Sequence, residues 1–324
     1  MPDPLSEVLA LADARCVISG GFRTGGEFAV RYEVDAQVKL DAVVGGSCWL
    51  VVDDGPPVRI AAGEAVVLNG ITTMVLCSDP RLRPVDATGP TAESSPVAQL
   101  RAGGDVAILG GHVDLDPAAA ALITSALPAV THVRASSPEA GEMRRLLERI
   151  VEETAAARPG ASFAADQLAQ LLLLEVLRAG LRQDALTQPG SLGLLADPQL
   201  LPAVTLMHAD PARDWGLADL AAAAGMSRSH FAHRFREVSG RPPLTYLAHW
   251  RIRLAERALR DSDTTVAALA RRLGYASESS FSHAFTRITG TSPSRHRRRA
   301  AARTPLPAGR AGPGTGARRP TGAA

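Results

Sequence analysis

The chain has 324 residues, 46% of them hydrophobic, and a net charge of +2. That length suits two domains of ordinary size, and that apolar content excludes wholesale disorder. No apolar run reaches the ~18 residues that span a bilayer, and the acidic stretch Met1–Ala10 has no basic region leading into an apolar one, so neither a membrane helix nor a signal peptide is expected and the protein reads as cytoplasmic.

The small net charge conceals a split. Residues 1–200 carry 15 basic and 25 acidic side chains, residues 201–300 carry 16 and 8, and the last 24 residues carry four arginines and no acid. An acidic first part followed by a basic module is the pattern of a nucleic-acid binder with a separate regulatory domain. Cys16, Cys48 and Cys77 lie far apart without a C-x-x-C pair, which excludes a disulfide framework and a zinc finger.

In chain order, the first hundred residues predict short strands at Phe28–Tyr32, Cys48–Val52, Val58–Ile60 and Ala65–Leu68. Asp54-Gly55 marks a hairpin between two of them, and the spacing suggests a small barrel or sandwich. From Pro117 the texture turns helical, with helices expected over Pro117–Leu127, Pro138–Ala157 and Phe163–Leu181. The apolar stripe of the last of these, through Leu168, Leu171, Leu172 and Val176, fits either core packing or a dimer contact. Gln183–Ser191 reads as a linker, and Thr304–Ala324, rich in Ala, Gly, Pro and Arg, as disordered.

Residues 220–243, LAAAAGMSRSHFAHRFREVSGRPP, and residues 269–293, LARRLGYASESSFSHAFTRITGTSP, repeat each other. Phe231 matches Phe281, Phe235 matches Phe285, Gly240 matches Gly290 and Pro243 matches Pro293 at a constant offset, with one residue inserted in the second copy's turn. Each copy reads as a short Ala/Leu helix, a glycine (Gly225, Gly274) suited to the left-handed conformation past a helix end, a serine cap (Ser227, Ser277) and a second helix ended by glycine. Leu244–Arg260 reads as a connecting helix, with Asp263 placed to cap the next one.

The second helix of each copy has a phenylalanine stripe and an opposite polar face. In the first copy that face carries Arg228, Ser229, Ala232, His233 and Arg236. In the second it carries Glu278, Ser279, Ser282, His283, Thr286 and Arg287. Side chains of these kinds reach base edges and phosphates from the major groove.

At these residues the sequence resembles the AraC/XylS family of bacterial transcription regulators, most specifically through GYASESSFSHAFTRITGTSPSRHR from Gly274 to Arg297. The N-terminal part resembles the cupin-type sensor domain of one branch, in Gly45–Gly70, Gly110-Gly111-His112 and Leu127–Arg134. The resemblance implies an α+β two-domain chain: a cupin-like β-barrel with helices over 1–190, an all-α domain with two helix-turn-helix units over 197–300, and a tail over 301–324. It further implies double-stranded promoter DNA and RNA polymerase as partners, a homodimer, a small-molecule or oxidant signal at the N-terminal domain, and activation as the commoner role. A metal-dependent cupin enzyme would need a cluster of histidines, but His112 and His132 are the only two before residue 200, and no nucleophile triad, phosphate loop or dinucleotide fingerprint occurs. No catalytic residue, metal or cofactor is therefore expected. Cys16, ahead of Gly20-Gly21 and near Arg15 and Arg23, is the candidate redox sensor, provided it is exposed and its thiol is acidified.

Overall fold

The computed structural model describes residues 3–87, 98–99, 104–125, 127–156, 158–182 and 189–303. The predicted tail, from Thr304, and most of the predicted linker, residues 183–188, lie outside the described residues. The chain forms two compact units, Met1–Leu254 and Ala255–Ala324.

The first unit opens with α1 (Pro4–Leu11), started by Asp3, whose carboxylate accepts from the Ser6 backbone N–H at 3.0 Å. Eleven described strands follow: β1 (Arg15–Thr24), β2 (Ala29–Glu33), β3 (Val38–Gly45), β4 (Ser47–Val52), β5 (Val58–Ala61), β6 (Ala65–Asn69), β7 (Thr73–Cys77), β8 (Val85–Asp86), β9 (Ala98–Gln99), β10 (Val106–Asp114) and, after the short α2 (Ala121–Thr124), β11 (Val130–Val133). They form two sheets, ordered β11-β6-β3-β10-β1-β9 and β5-β4-β7-β2-β8. The expected barrel is thus a pair of sheets, and neither closes on itself among the described residues.

The larger sheet is buried on both faces. Val38, Leu40 and Ala42 of β3 pack with Met143, Leu147 and Ile150 of α3 (Ala140–Ala156) and with Leu172, Leu173 and Val176 of α4 (Ala161–Arg182). Val43, Val66, Leu68 and Ile108 turn the other way, onto Cys48, Leu50, Ile60 and Leu76 of the second sheet. Burial on both faces explains why β10 lacks the polar alternation by which a half-buried strand is recognised, and why β3 loses it after Ala42. β1 and β10 were also obscured by glycines at the point where they pair most closely: a Cβ on Gly21 would come within 2.4 Å of the Ile108 carbonyl oxygen. The β4–β5 turn lies one residue earlier than predicted. Asp53 and Asp54 hold the left-handed φ values of 44° and 56°, and the Gly55 N–H closes the turn on the Val52 carbonyl at 2.8 Å.

Helices α5 (Ser191–Ala196), α6 (Leu201–Ala209), α7 (Leu217–Ala223) and α8 (Arg228–Ser239) share a second core, in which Leu200, Val204, Met207 and Leu220 surround Phe231, Phe235 and Tyr246. The following α9 spans Pro243–Asp261; its Trp250 joins the N-terminal core beside Val8 and Leu11. The second unit contains α10 (Val266–Arg272), α11 (Glu278–Thr289) and α12 (Pro293–Arg303). There Phe281 and Phe285 are fully buried, with the Tyr275 and His296 rings edge-on to them.

Candidate nucleic-acid interface

Both predicted helix-turn-helix units form as the repeat requires. Gly225 and Gly274 take φ values of 63° and 75°, the left-handed turn that only glycine enters without cost. Ser227 Oγ then accepts from the His230 N–H at 3.3 Å and starts α8. Ser277 starts α11 through a reciprocal pair: its Oγ accepts from the Ser280 N–H at 3.1 Å, and the Ser280 Oγ accepts from the Ser277 N–H at 3.2 Å. Gly240 and Gly290 end the two helices in the left-handed conformation. One predicted cap is corrected. α10 starts on Thr265, whose hydroxyl accepts from the Ala268 N–H at 3.2 Å, because Asp263 lies two residues too early to reach an orphan amide of that first turn.

Within each unit, burying the phenylalanine stripe decides what faces solvent. Phe231 and Phe235 are fully buried, so the opposite side of α8 exposes Arg228, Ser229, His233 and Arg236, with Ala232 half-buried at its margin. Phe281 and Phe285 impose the same pattern on α11, which exposes Glu278, Ser279, His283, Thr286 and Arg287 and leaves Ser282 half-buried. The eleven predicted contact positions therefore form two equivalent faces, one on each unit. Arg228, Arg236 and Arg287 have no ion-pair partner among the described residues, which leaves their guanidinium groups available to phosphates. Glu278 sits in the first turn of α11, where the helix dipole favours a carboxylate.

Sequence reasoning passed over several basic groups. Arg271 and Arg272 at the end of α10, and Arg295, Arg298 and Arg299 of α12, are exposed as well. Their only advance sign was charge density, because neither helix carried a face argument of the kind the repeat supplied. Arg234, by contrast, is tied down: its Nε donates to Asp197 Oδ2 at 2.8 Å.

The N-terminal candidates look different. Cys16 is buried at 2% exposure, and burial together with Asp166 and Asp114 pushes its thiol up to about 12. This corrects the expectation of an exposed, acidified cysteine. The β1 backbone at Cys16 donates to Gln170 Oε1 of α4 at 2.9 Å, and that helix covers the thiol, so neither Arg15 nor Arg23 offsets the desolvation. Cys48, also buried, is raised to about 12 as well, and Cys77 is raised by burial and Asp79. Of the two N-terminal histidines, His132 Nε2 lies 3.0 Å from Glu64 Oε2, and His112 Nε2 lies 3.5 Å from Asp114 Oδ1. Glu64 also accepts from the Ala61 and Ala135 amides, so His132 belongs to a bracing network between strand ends. No helix among the described residues is long and apolar enough to cross a membrane.

Comparison with known proteins agrees with these two parts. Residues 3–182 match the cupin family and residues 220–299 the helix-turn-helix domain family. A protein of Streptomyces lividans named as an AraC-like transcription regulator is 38% identical over 298 residues, covering 91% of this chain and 98% of its own. One of the same name from Streptomyces antibioticus is 37% identical over the same shares. Among solved structures, the DNA-binding domain of AdpA in complex with a target DNA is 33% identical, covering 34% of this chain and 100% of that one at a TM-score of 0.33. The chain belongs to the AraC family of DNA-binding transcription regulators, with a cupin domain ahead of its helix-turn-helix domain.

Proposed function

We propose that both helix-turn-helix units read double-stranded promoter DNA, through Arg228, Ser229, Ala232, His233 and Arg236 in the first and Glu278, Ser279, Ser282, His283, Thr286 and Arg287 in the second. The observation that carries this reading is the matched burial of α8 and α11. The same phenylalanine pair is buried in each, and the same polar positions are left open. In this reading His233 and His283 face base edges, while Arg228, Arg236 and Arg287 bind phosphates and set the register. Residues 197–300 act as the DNA-binding domain, and residues 1–190 receive a small-molecule or oxidant signal that changes DNA affinity. The protein works in the cytoplasm as a homodimer that engages RNA polymerase and has no catalytic activity. Exposed Phe163 and Leu171 on α4, 72% and 50% accessible, support a contact between two copies.

The experiment is selection of genomic fragments by the purified full-length protein, followed by footprinting of the enriched site. A protected site of about two helical turns per chain is expected, since successive major grooves on one face of the duplex lie roughly 34 Å apart. Protection of a single turn would leave only one unit reading DNA. Uniformly nonspecific binding, with and without candidate signals, would overturn the reading.

A further inference from the structure

The two helix-turn-helix units differ in charge. Residues 197–254 hold seven arginines and five acidic side chains, whereas residues 255–303 hold ten and four. Of those four acids, Glu256 is buried, Asp261 lies 3.5 Å from Arg257 and 3.1 Å from Arg260, Asp263 is exposed ahead of α10, and Glu278 sits in the first turn of α11. Residues 279–324 hold nine arginines and no acid, so the excess lies along α11, α12 and the sequence beyond them.

Packing decides which arginines of α12 face solvent. Pro293 is buried, the His296 ring lies edge-on to Phe285, and Arg297 donates through Nη2 to the Thr264 carbonyl. At 3.6 residues per turn these positions mark one side of the helix. Arg295, Arg298 and Arg299 fall on the opposite side, within an arc of about 100°. All three are exposed, with no ion-pair partner among the described residues.

This arrangement is unfavourable for the helix itself. Like charges three and four residues apart repel. Arg295 also stands in the first turn of α12, where the helix dipole disfavours a cation. A polyanion relieves both costs. Arg295 to Arg299 rise about 6 Å along the helix axis, against about 3.4 Å of duplex axis per phosphate on one strand. The arc is therefore of a size to meet successive phosphates, which guanidinium groups bind through paired N–H donors.

We propose that Arg295, Arg298 and Arg299 form a phosphate clamp on α12, outside both recognition helices, that grips duplex DNA whatever its sequence. The second unit then supplies mainly affinity, while the less charged first unit contributes proportionately more to discrimination between sequences. The clamp deepens the DNA-binding reading, yet it needs neither α8 nor α11 to read bases.

The test measures affinity of the full-length protein, across a salt series, for an enriched genomic fragment and for a shuffled duplex of equal length. In Arg295→Gln/Arg298→Gln/Arg299→Gln the slope of log affinity against log salt is expected to fall by about 2.7 on both duplexes, about 0.9 for each phosphate lost, with affinity reduced about tenfold or more at low salt. The preference for the enriched fragment is expected to stay within about twofold of the wild type. Arg15→Gln/Arg81→Gln/Arg145→Gln removes the same charge from exposed positions of the first unit and is expected to leave the slope unchanged. The urea midpoint of the α12 variant is expected to hold or rise, because repulsion is relieved; a fall would make the three arginines structural and overturn the clamp. An unchanged slope would also overturn it and turn the arc toward an acidic protein or an anionic membrane surface. A loss confined to the enriched fragment, or matched by the first-unit variant, would overturn it as well. Failure of the base-reading proposal shows separately, as equal wild-type affinity for the two duplexes.

Discussion

The guanidinium of Arg234 donates from Nε to Asp197 at 2.8 Å, joining α8 to the turn ahead of α6. Asp197 is 8% exposed, and its other oxygen also accepts the backbone N–H groups of Gln199 and Leu200. One carboxylate thus closes the turn before α6 and holds the helix that carries the first DNA-facing residues. Asp197→Ala strands two amides and a half-buried cation, and is expected to destabilise the protein by about 1–3 kcal/mol. Asp197→Asn, which retains an oxygen for the amides, is expected to lose less. Urea unfolding of both variants checks the order, and equal losses would show that the Arg234 contact dominates.

Opposite faces of the same helices should fail differently. Phe285→Ala removes a fully buried ring and is expected to cost about 3–5 kcal/mol of stability. Exposed His283→Ala is expected to leave stability within about 0.5 kcal/mol and to weaken binding to the selected site by about 1–3 kcal/mol. Parallel denaturation and competition against random DNA separate the two. An equal loss on selected and random DNA would make His283 a phosphate contact.

Arg236→Ala and Arg287→Ala are expected to weaken binding to any duplex and to lower the slope of log affinity against log salt by about 0.9 each. A salt series from low to physiological ionic strength measures this. An unchanged slope would take that arginine out of the footprint.

The three cysteines are buried and their thiols raised, so a thiol reagent at pH 7–8 is expected to label none of them in the folded protein and all of them in denaturant. Rapid labelling of Cys16 under native conditions would mean that α4 opens from β1 readily, and would restore a redox role to that residue.

His208 gives the protein an acid-sensitive element. Burial holds its pKa down at about 3; Nε2 is 2.9 Å from the Tyr246 hydroxyl, and the ring stacks on Trp250 at 3.6 Å. Glu7 on α1, itself raised by burial and by Asp3, lies 3.1 Å from Nδ1. In the unfolded chain His208 takes up a proton near its ordinary value of 6.5, whereas in the folded chain it stays neutral. Its contribution to stability is therefore complete above pH 6.5 and declines as the pH falls toward 3. The urea midpoint is expected to drop between pH 7 and pH 5 more steeply in the wild type than in His208→Phe. Parallel pH dependences would remove His208 as the cause.

Much of the DNA-binding half was legible because its determinants are local. A phenylalanine every fourth residue, a serine before a helix and a glycine after it act over one or two turns, and their duplication made each copy a check on the other. The predicted faces of α8 and α11 follow from that period alone. The strands were read less completely. Ala29–Glu33, Ser47–Val52, Val58–Ala61 and Ala65–Asn69 appear within a residue of their predicted ends, but Arg15–Thr24, Val38–Gly45, Thr73–Cys77 and Val106–Asp114 were missed. Arg15–Thr24 and Val106–Asp114 are interrupted by glycine and Val38–Gly45 is buried on both faces, while Thr73–Cys77 is a short run between its partners β2 and β4, so strand identity in these cases depends on partners elsewhere along the chain.

By itself, the sequence determined where each helix-turn-helix begins, which side of its second helix is buried and which side is charged, since helical periodicity and capping are properties of neighbouring residues. Only the tertiary structure decided that Cys16 lies beneath α4, that Asp197 reaches Arg234, and that Glu7 meets His208. Each of these depends on residues tens to hundreds of positions apart. Burial and thiol acidity arise from which distant surfaces exclude water together, and no local pattern of residue types records that choice.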